Sequence, residues 1–211
     1  MRSGERKRER VRIGIMASGR GSNFEALVRA ARQGRVDAEI AVVITDREGA
    51  PVLERAEKLG VPAVFVNPRG HASKGRYEQA VVGTLVEHGV DLVCLAGYMR
   101  IVGKDFVGAY EGRMMNIHPS LLPAFPGLDA QAQALEYGVK LSGCTVHFVD
   151  EGVDTGPIIL QETVPVLDMD TVANLSQRIL TVEHRLYAEA VQLFAQGRLR
   201  ISGRRVIIDK D

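Results

Sequence analysis

The first half of the chain alternates short, continuously apolar runs with longer segments whose apolar residues recur every three or four positions. Runs such as VRIGIMA have strand length without the alternation of a half-exposed strand, which predicts strands buried on both faces of a parallel sheet. The longer segments predict helices that cross between these strands. The predicted strands are 11–17, 38–46, 62–66 and 91–97, and the predicted helices are 23–34, 50–60 and 75–89. The pattern predicts an α/β fold with a Rossmann-like, mostly parallel twisted sheet and helices on both faces.

The alternation of predicted strands and helices ends after the proline-rich stretch MMNIHPSLLPAFPG at 114–127. Two later apolar segments are separated only by a short turn, which favours an antiparallel hairpin. The remaining predicted elements are a fifth strand at 113–118, hairpin strands at 141–150 and 156–166, a long helix at 171–197, and a closing β-ribbon at 198–202 and 205–209. Antiparallel strands are therefore expected in the C-terminal part.

Composition narrows the class of protein. The chain has 211 residues with 27 basic and 26 acidic side chains, so a net charge of +1 predicts neither a nucleic-acid partner nor a membrane surface. Two cysteines, Cys94 and Cys144, lie in apolar surroundings and predict buried thiols in a reducing, cytoplasmic compartment. We expect a basic N-terminal tail at 1–10 and a single domain at 11–211.

A glycine-rich turn, SGRGSN at 18–23, follows the first predicted strand and opens the first helix. Backbone N–H groups at such a turn bind anions, so Gly21, Ser22 and Asn23 predict a phosphate site. A dinucleotide site is a weaker alternative because Phe24 stands where the third glycine belongs, although Asp46 could serve as a ribose-binding acid. A tight turn with an asparagine cap is the structural alternative.

A second candidate site follows the fifth predicted strand. Asn116 and His118 are two positions apart, so they face the same side of an extended segment and could both stabilise an oxyanion. Asp154, in the turn EGVDTGP, could keep a histidine protonated, although a turn-forming aspartate is as reasonable an interpretation. A metal site is not expected, because His118, His147 and His184 lack ligand spacing.

Four stretches together, ASGRGSN, AGYMRIV, NIHPSLLPAFPG and SGCTVHFVDEGVDTGPIILQ, resemble the phosphoribosylglycinamide formyltransferase family. The resemblance runs from about residue 11 to about residue 200. It implies transfer of the formyl group of 10-formyltetrahydrofolate to the amine of glycinamide ribonucleotide in purine biosynthesis. The implied reaction is a direct attack through a tetrahedral intermediate, with no metal and no ATP.

The resemblance also implies roles for particular residues. Asn116 and His118 would bind the oxyanion that develops on the formyl carbon. Asp154 would keep His118 protonated and help a water carry the proton away from the attacking amine. The implied ribonucleotide-binding residues are Gly21, Ser22, Asn23 and Glu183. The implied folate-binding residues are Lys74, Met99, Arg100, Ile101, Val102, Asn116, Asp150 and Asp154.

The chain departs from the family pattern at two places. Arg20 stands between the loop glycines where many relatives have asparagine, and Asp129 stands where many have histidine. Methionyl-tRNA formyltransferases, formyltetrahydrofolate hydrolases and a noncatalytic nucleotide-binding module are the competing interpretations. The expected lack of a further domain at either end argues against the first two. The sequence leaves open whether the protein forms a homodimer and whether the Leu122–Pro123 bond is cis.

Overall fold

A computed structural model of the protein describes residues 10–210, so the predicted basic tail lies outside the described residues apart from Arg10. The strands are β1 (Val11–Met16), β2 (Ala38–Thr45), β3 (Ala63–Phe65), β4 (Leu92–Leu95), β5 (Met114–His118), β6 (Leu141–Phe148), β7 (Ile158–Pro165), β8 (Leu199–Ser202) and β9 (Arg205–Ile208). The helices are α1 (Ser22–Arg32), α2 (Pro51–Lys58), α3 (Lys74–Glu87), α4 (Lys104–Ala109), α5 (Ala130–Tyr137) and α6 (Val172–Ala195).

The strands form one sheet in the order β3-β2-β1-β4-β5-β6-β7-β9-β8. The first five strands pair in parallel, whereas β6 runs antiparallel to both β5 and β7. The predicted parallel sheet, hairpin and closing ribbon are therefore confirmed. The order reverses between β1 and β4, and ligands bind at such a switch point in open α/β sheets.

Apolar side chains cover both faces of the sheet. One core contains Phe24 and Leu27 of α1, together with buried residues of α2, α5 and α6. The other contains Tyr77 and Leu85 of α3, together with buried residues of α4. Successive residues of β4 enter opposite cores, which explains why its sequence is continuously apolar. None of the described helices is long and apolar enough to cross a membrane.

The long helix α6 fixes the strand ends that border the switch point. Thr171 caps its N-terminus, because its side chain accepts a hydrogen bond from the backbone N–H of Asn174. Tyr187 is fully buried, and its hydroxyl lies 3.0 Å from the carbonyl oxygen of Leu95 and 3.1 Å from that of Met115. One buried donor thus links α6 to the end of β4 and to the beginning of β5.

Two short helices were not expected from the sequence. α4 has six residues, too few to repeat an apolar face, and α5 buries only the small side chains of Ala130 and Ala134. Both follow the loops in which the main functional motifs lie, and α5 begins directly after Asp129. α5 contributes Gln131 to the lining of the site described next.

Candidate active site

The carboxyl ends of the parallel strands open into a cleft of about 610 Å³, called here the main cleft. It lies beside the switch point between β1 and β4. Its walls come from the segment after β4, the end of β5 and the connection between β6 and β7. Those three places carry most of the residues that the sequence singled out.

Asn116, His118 and Asp154 meet at the main cleft. β5 presents Asn116 and His118 from one face of an extended strand. Asp154 lies in the connection from β6 to β7, and its Oδ2 is 3.3 Å from Nδ1 of His118. Asn116 Nδ2 donates a 3.2 Å hydrogen bond to the other carboxylate oxygen. Antiparallel pairing of β5, β6 and β7 brings these distant positions together.

His118 is enclosed, with 4% of its surface exposed. Its Nε2 lies 2.8 Å from the carbonyl oxygen of Phe125, while its Nδ1 faces the carboxylate of Asp154. A carbonyl and a carboxylate only accept hydrogen bonds. The two acceptors can therefore bind both N–H groups of an imidazolium ring.

Asp154 supplies a fixed negative charge beside that ring. Burial alone would raise its pKa. Hydrogen bonds from His147 and from the backbone N–H of Gly127, together with the charges of His118 and His147, nevertheless lower the pKa below its ordinary value. The Gly127 bond measures 2.8 Å. The carboxyl group is consequently ionised at neutral pH.

His147 is a fourth member of the site, which sequence reasoning had considered only as a scattered metal ligand. It lies opposite Asn116 in the β5–β6 pairing and is 2% exposed. Its Nδ1 donates to the carbonyl oxygen of Phe148 at 2.8 Å, so a neutral ring can accept the 3.2 Å hydrogen bond from Asn116 through Nε2. The same nitrogen lies 3.6 Å from Asp154 and can donate to it when protonated.

Backbone strain is concentrated around these side chains. Phe125, Asp129 and Asp154 have φ angles of 53°, 57° and 55°, and in the described part of the chain no other residue besides glycine has a positive φ. All three belong to loops beside His118 and Asn116 at the main cleft. Such conformations cost energy and persist where the surrounding structure fixes them, commonly at functional sites. The Leu122–Pro123 bond in the same loop is cis.

The glycine turn connects β1 to α1 through a left-handed residue. Gly21 precedes α1 with φ 73°, and an added Cβ would lie 2.4 Å from Cγ2 of Val52, so the position needs glycine. Ser22 begins α1, and the backbone N–H groups of the first turn have no partners within the helix. No side chain caps α1, so the alternative that Asn23 is a structural cap is wrong.

Asn23 is directed instead at Glu183. Its Nδ2 donates a buried 2.8 Å hydrogen bond to Glu183 Oε2, whereas its Oδ1 is buried without a hydrogen-bond partner. Glu183 is 7% exposed and lies on the buried stripe of α6 between Ile179 and Tyr187, where an apolar residue would be expected. Burial raises the pKa of Glu183, and the bond from Asn23 offsets part of that increase.

Glu183 also separates two spaces. It lines the main cleft and a neighbouring space of about 490 Å³, called here the side cavity. Arg20 and Gln131 line the side cavity together with the neutral side chains of Ser176 and Gln177. The side cavity therefore offers one guanidinium group and several uncharged donors beside Glu183.

The predicted folate-binding residues divide into two groups. Met99, Arg100, Ile101 and Val102 all line the main cleft. Lys74 and Asp150 do not. Lys74 lies 3.7 Å from Glu78, and Asp150 accepts hydrogen bonds from Gly152 and Thr155 within the turn that carries Asp154.

Asp46 and the histidines belong to the alternative chemistries that the sequence raised. Asp46, the candidate ribose-binding acid of a dinucleotide site, accepts a 2.5 Å hydrogen bond from Ser18 Oγ. Among residues 10–210, no group of three or more histidine, cysteine, aspartate or glutamate side chains could hold a metal ion. Cys94 and Cys144 are free and buried, as predicted.

Comparison with known proteins identifies relatives over most of the chain. Residues 11–191 match the family described as formyl transferase. The chain is 45% identical to the phosphoribosylglycinamide formyltransferase of Bacillus subtilis, over 86% of this chain and 93% of the relative. It is 44% identical to the human trifunctional purine biosynthetic protein adenosine-3 over 92% of this chain, but it spans only 19% of that protein's length.

Solved structures agree with these matches. Glycinamide ribonucleotide transformylase 1 from Symbiobacterium toebii is 54% identical with a TM-score of 0.96, covering 99% of this chain and 100% of the other. A formyltetrahydrofolate deformylase from Pseudomonas syringae is 28% identical with a TM-score of 0.88, covering 96% of this chain and 67% of the other. The fold is therefore shared with a glycinamide ribonucleotide transformylase and with a formyltetrahydrofolate deformylase.

Proposed function

This chain belongs to the formyl transferase family, and we propose that it transfers the formyl group of 10-formyltetrahydrofolate to the amine of glycinamide ribonucleotide in purine biosynthesis. The observation that carries the proposal is the meeting of Asn116, His118 and Asp154 in a cleft that also reaches Asn23 and Glu183. One pair of substrates could thus place a formyl group at the catalytic side chains and a ribose at Glu183. The predicted domain at 11–211 is the proposed catalytic unit.

The proposed reaction is a direct displacement. The amine nitrogen attacks the formyl carbon, the carbonyl electrons move to oxygen, and a tetrahedral intermediate forms. The intermediate collapses with cleavage of the bond to N10 of the folate, which takes up a proton, while the former amine loses one. Holding the two reacting atoms together removes much of the entropic barrier. As proposed, the displacement draws on neither metal nor ATP.

Asn116 and His118 are the proposed oxyanion donors. Their hydrogens point to Asp154, His147 and the carbonyl oxygen of Phe125. A formyl oxygen would have to share these hydrogens, and catalytic hydrogen bonds commonly tighten only when substrate is bound. Donors already fixed in an enclosed site need little reorganisation as negative charge develops.

Asp154 has two proposed tasks. Its negative charge, 3.3 Å from Nδ1 of His118, would stabilise an imidazolium form of that ring during the reaction. It also provides an acceptor for the proton that leaves the amine through a water. His147 is a proposed positioning residue, because its Nε2 and Asp154 Oδ1 each lie 3.2 Å from Asn116 Nδ2 and together orient that amide.

The ribonucleotide is proposed to lie along the glycine turn. Backbone N–H groups at Gly21, Ser22 and Asn23 would bind the phosphate. Glu183 would accept hydrogen bonds from the ribose hydroxyls through its carboxyl oxygens. Its position between the main cleft and the side cavity supports this placement.

The folate is proposed to lie against the opposite wall. Met99, Arg100, Ile101 and Val102 present apolar side chains and backbone polar groups, which suits a flat amphipathic pterin. Asn116 and Asp154 would contact the same ligand at its formyl end. We propose that Asp150 contacts the folate only through the backbone of its turn. Its carboxylate already accepts hydrogen bonds from Gly152 and Thr155.

We place the enzyme in the cytoplasm and take its small-molecule substrates as its partners. Free buried thiols at Cys94 and Cys144 suit a reducing compartment, and a net charge of +1 gives no support for a nucleic-acid partner. A homodimer is the assembly to test, because the edge ribbon β8–β9 carries Ile201 and Ile207 exposed at 43% and 36%. Sedimentation at several concentrations would measure it.

The function is tested by supplying glycinamide ribonucleotide and a 10-formylfolate analogue and following release of the deformylated folate. Ribonucleotide-dependent release, with formyl recovered on the ribonucleotide, supports the proposal. Absence of any release would favour a noncatalytic binding module.

Hydrolysis of the formylfolate is the second candidate function. The formyltetrahydrofolate deformylase from Pseudomonas syringae supports it, because a TM-score of 0.88 shows that the same fold is used by an enzyme of that name. A hydrolase would release formate at the same rate with or without ribonucleotide. The two candidates therefore differ in one control reaction.

A further inference from the structure

Residues 97–103, called here the cleft wall, connect β4 to α4 without regular secondary structure. Met99 and Ile101 lie in this segment with 53% and 62% of their surfaces exposed. Exposed apolar side chains on an irregular segment would ordinarily be free to move. The cleft wall is instead tied to neighbouring elements at both ends.

Ser18 ties the first end. Its backbone N–H donates to the carbonyl oxygen of Gly97 at 3.0 Å, and its hydroxyl accepts a 2.9 Å hydrogen bond from the backbone N–H of Met99. The hydroxyl hydrogen is directed to Asp46 at 2.5 Å. Ser18 is 2% exposed, so the bonds are shielded from water. The carboxylate of Asp46 thereby orients Ser18 as an acceptor.

Glu78, on the first turns of α3, ties the other end. Its Oε1 accepts a 2.7 Å hydrogen bond from the backbone N–H of Gly103. A Cβ added at Gly103 would lie 2.5 Å from Oε2, so the backbone passes directly against the carboxylate. Glu78 is 8% exposed, which makes it a buried carboxylate with no place in the proposed reaction.

The centre of the cleft wall rests on the residue before Glu78. The hydroxyl groups of Tyr77 and Tyr98 are 2.7 Å apart. The guanidinium of Arg100 lies 5.3 Å from the centroid of the Tyr77 ring, within range of a cation–π interaction. Two adjacent residues of α3 thus hold the middle and the far end of the same segment.

We propose that Glu78 is a positioning residue for folate binding, because it holds the cleft wall in the shape that receives the pterin. The proposal rests on the proposed function, in which Met99 to Val102 contact the folate. Under this proposal Lys74 pairs with Glu78, whereas the resemblance implies that it contacts the folate. Lys74 does not line the main cleft, and its ammonium group lies 3.7 Å from Glu78 Oε1.

Glu78→Ala tests the proposal, with Glu78→Gln as the conservative variant. Glutamine keeps an oxygen that can accept the bond from Gly103, whereas alanine leaves that N–H unpaired. Glu87→Ala is the matched control, because Glu87 is an exposed glutamate on the same helix. The readouts are the Kd of a nonreactive 10-formylfolate analogue, the Kd of glycinamide ribonucleotide, and amide hydrogen exchange along the chain.

For Glu78→Ala we expect the Kd of the folate analogue to rise roughly tenfold, which is the effect of losing a hydrogen bond to a charged group. The Kd of the ribonucleotide should stay within about twofold, since that ligand is proposed to bind elsewhere. Glu78→Gln and Glu87→Ala should resemble the wild type. Amide exchange should accelerate at residues 99–103 and remain unchanged in β1.

Equal weakening of both ligands would overturn the proposal, as would an unchanged Kd for the folate analogue or a glutamine variant as weak as the alanine variant. If Glu78→Ala does not fold, Ser18→Ala tests the other end, because it removes the acceptor for Met99 and should also weaken only the folate analogue. Wild-type binding and amide exchange together distinguish a failure of the proposed function from a failure of the positioning role. A wild type that binds no folate analogue refutes the proposed function, whereas unchanged exchange at 99–103 in Glu78→Ala refutes the positioning role itself.

Discussion

Asp154→Asn removes the carboxylate charge that faces His118 while nearly preserving the size of the side chain. An N–H₂ group in place of Oδ1 cannot accept the bond from Asn116, although it can donate to a neutral His147. The amide oxygen can still accept from the backbone N–H of Gly127. The local fold should therefore survive the substitution. The substitution removes the negative charge 3.3 Å from the imidazole nitrogen, together with the acceptor for Asn116 Nδ2.

The expected loss can be sized from that distance. At 3.3 Å and an effective dielectric constant of about 20, the attraction between unit charges is about 5 kcal/mol. Residual solvent exposure of the carboxylate, 11% of its side chain, reduces this value. A loss of about 3 to 4 kcal/mol in the transition state would lower kcat by roughly 10² to 10³.

Steady-state formyl transfer and calorimetric binding of the ribonucleotide would measure the effect. Asp168→Asn is the matched control, because Asp168 is an aspartate with 86% of its side chain exposed, paired with Lys140. We expect kcat to fall in Asp154→Asn alone, with the Kd of the ribonucleotide within about twofold of the wild type. A fall in kcat of less than about tenfold would refute the charge argument, and so would a loss of activity explained entirely by weaker ribonucleotide binding.

Three further predictions concern the remaining groups. Glu183→Ala should raise the KM of the ribonucleotide more than that of the folate, because Glu183 borders the proposed ribose position; equal changes in both KM values in steady-state assays would contradict this placement. Arg20→Ala should raise the Kd of the ribonucleotide by roughly tenfold and leave that of the dephosphorylated riboside unchanged, since only the phosphate would meet the guanidinium; equal effects in calorimetry would exclude that contact. The stability difference between wild type and Asp154→Asn should be fully present above about pH 5 and shrink as the pH falls through the lowered pKa of Asp154. Urea unfolding at several pH values would show it, and a difference independent of pH would speak against an ionised, stabilising carboxylate.

The sheet could be predicted from sequence because its strands are buried on both faces. β1, β2 and β4 are mostly apolar, and each strand sends residues into two separate cores, with strict alternation in β4. The same reasoning placed Asn116 and His118 at the carboxyl end of a strand, where the structure has them. The apolar pattern did not predict the short helix α4, because six residues are too few to repeat a helical period.

Contacts across the sheet could not be predicted from sequence. The nearness of His147 to Asn116 depends on the register of β5 against β6, and a shift of one residue would turn His147 to the other face. Glu183 did carry a local signal, because it interrupts the apolar stripe of a long helix. Its partner Asn23 lies at the other end of the chain, and only the packing of α1 against α6 brings the two together.

The central claim is that Asn116 and His118 donate hydrogen bonds to the formyl oxygen while Asp154 holds the imidazolium. A crystal structure with glycinamide ribonucleotide and a nonreactive formylfolate analogue measures this most directly. The account predicts the formyl oxygen about 3 Å from both Asn116 Nδ2 and a ring nitrogen of His118, with the Asp154 carboxylate still against the ring. A formyl oxygen farther than about 4 Å from both donors, beyond hydrogen-bonding distance, would contradict it.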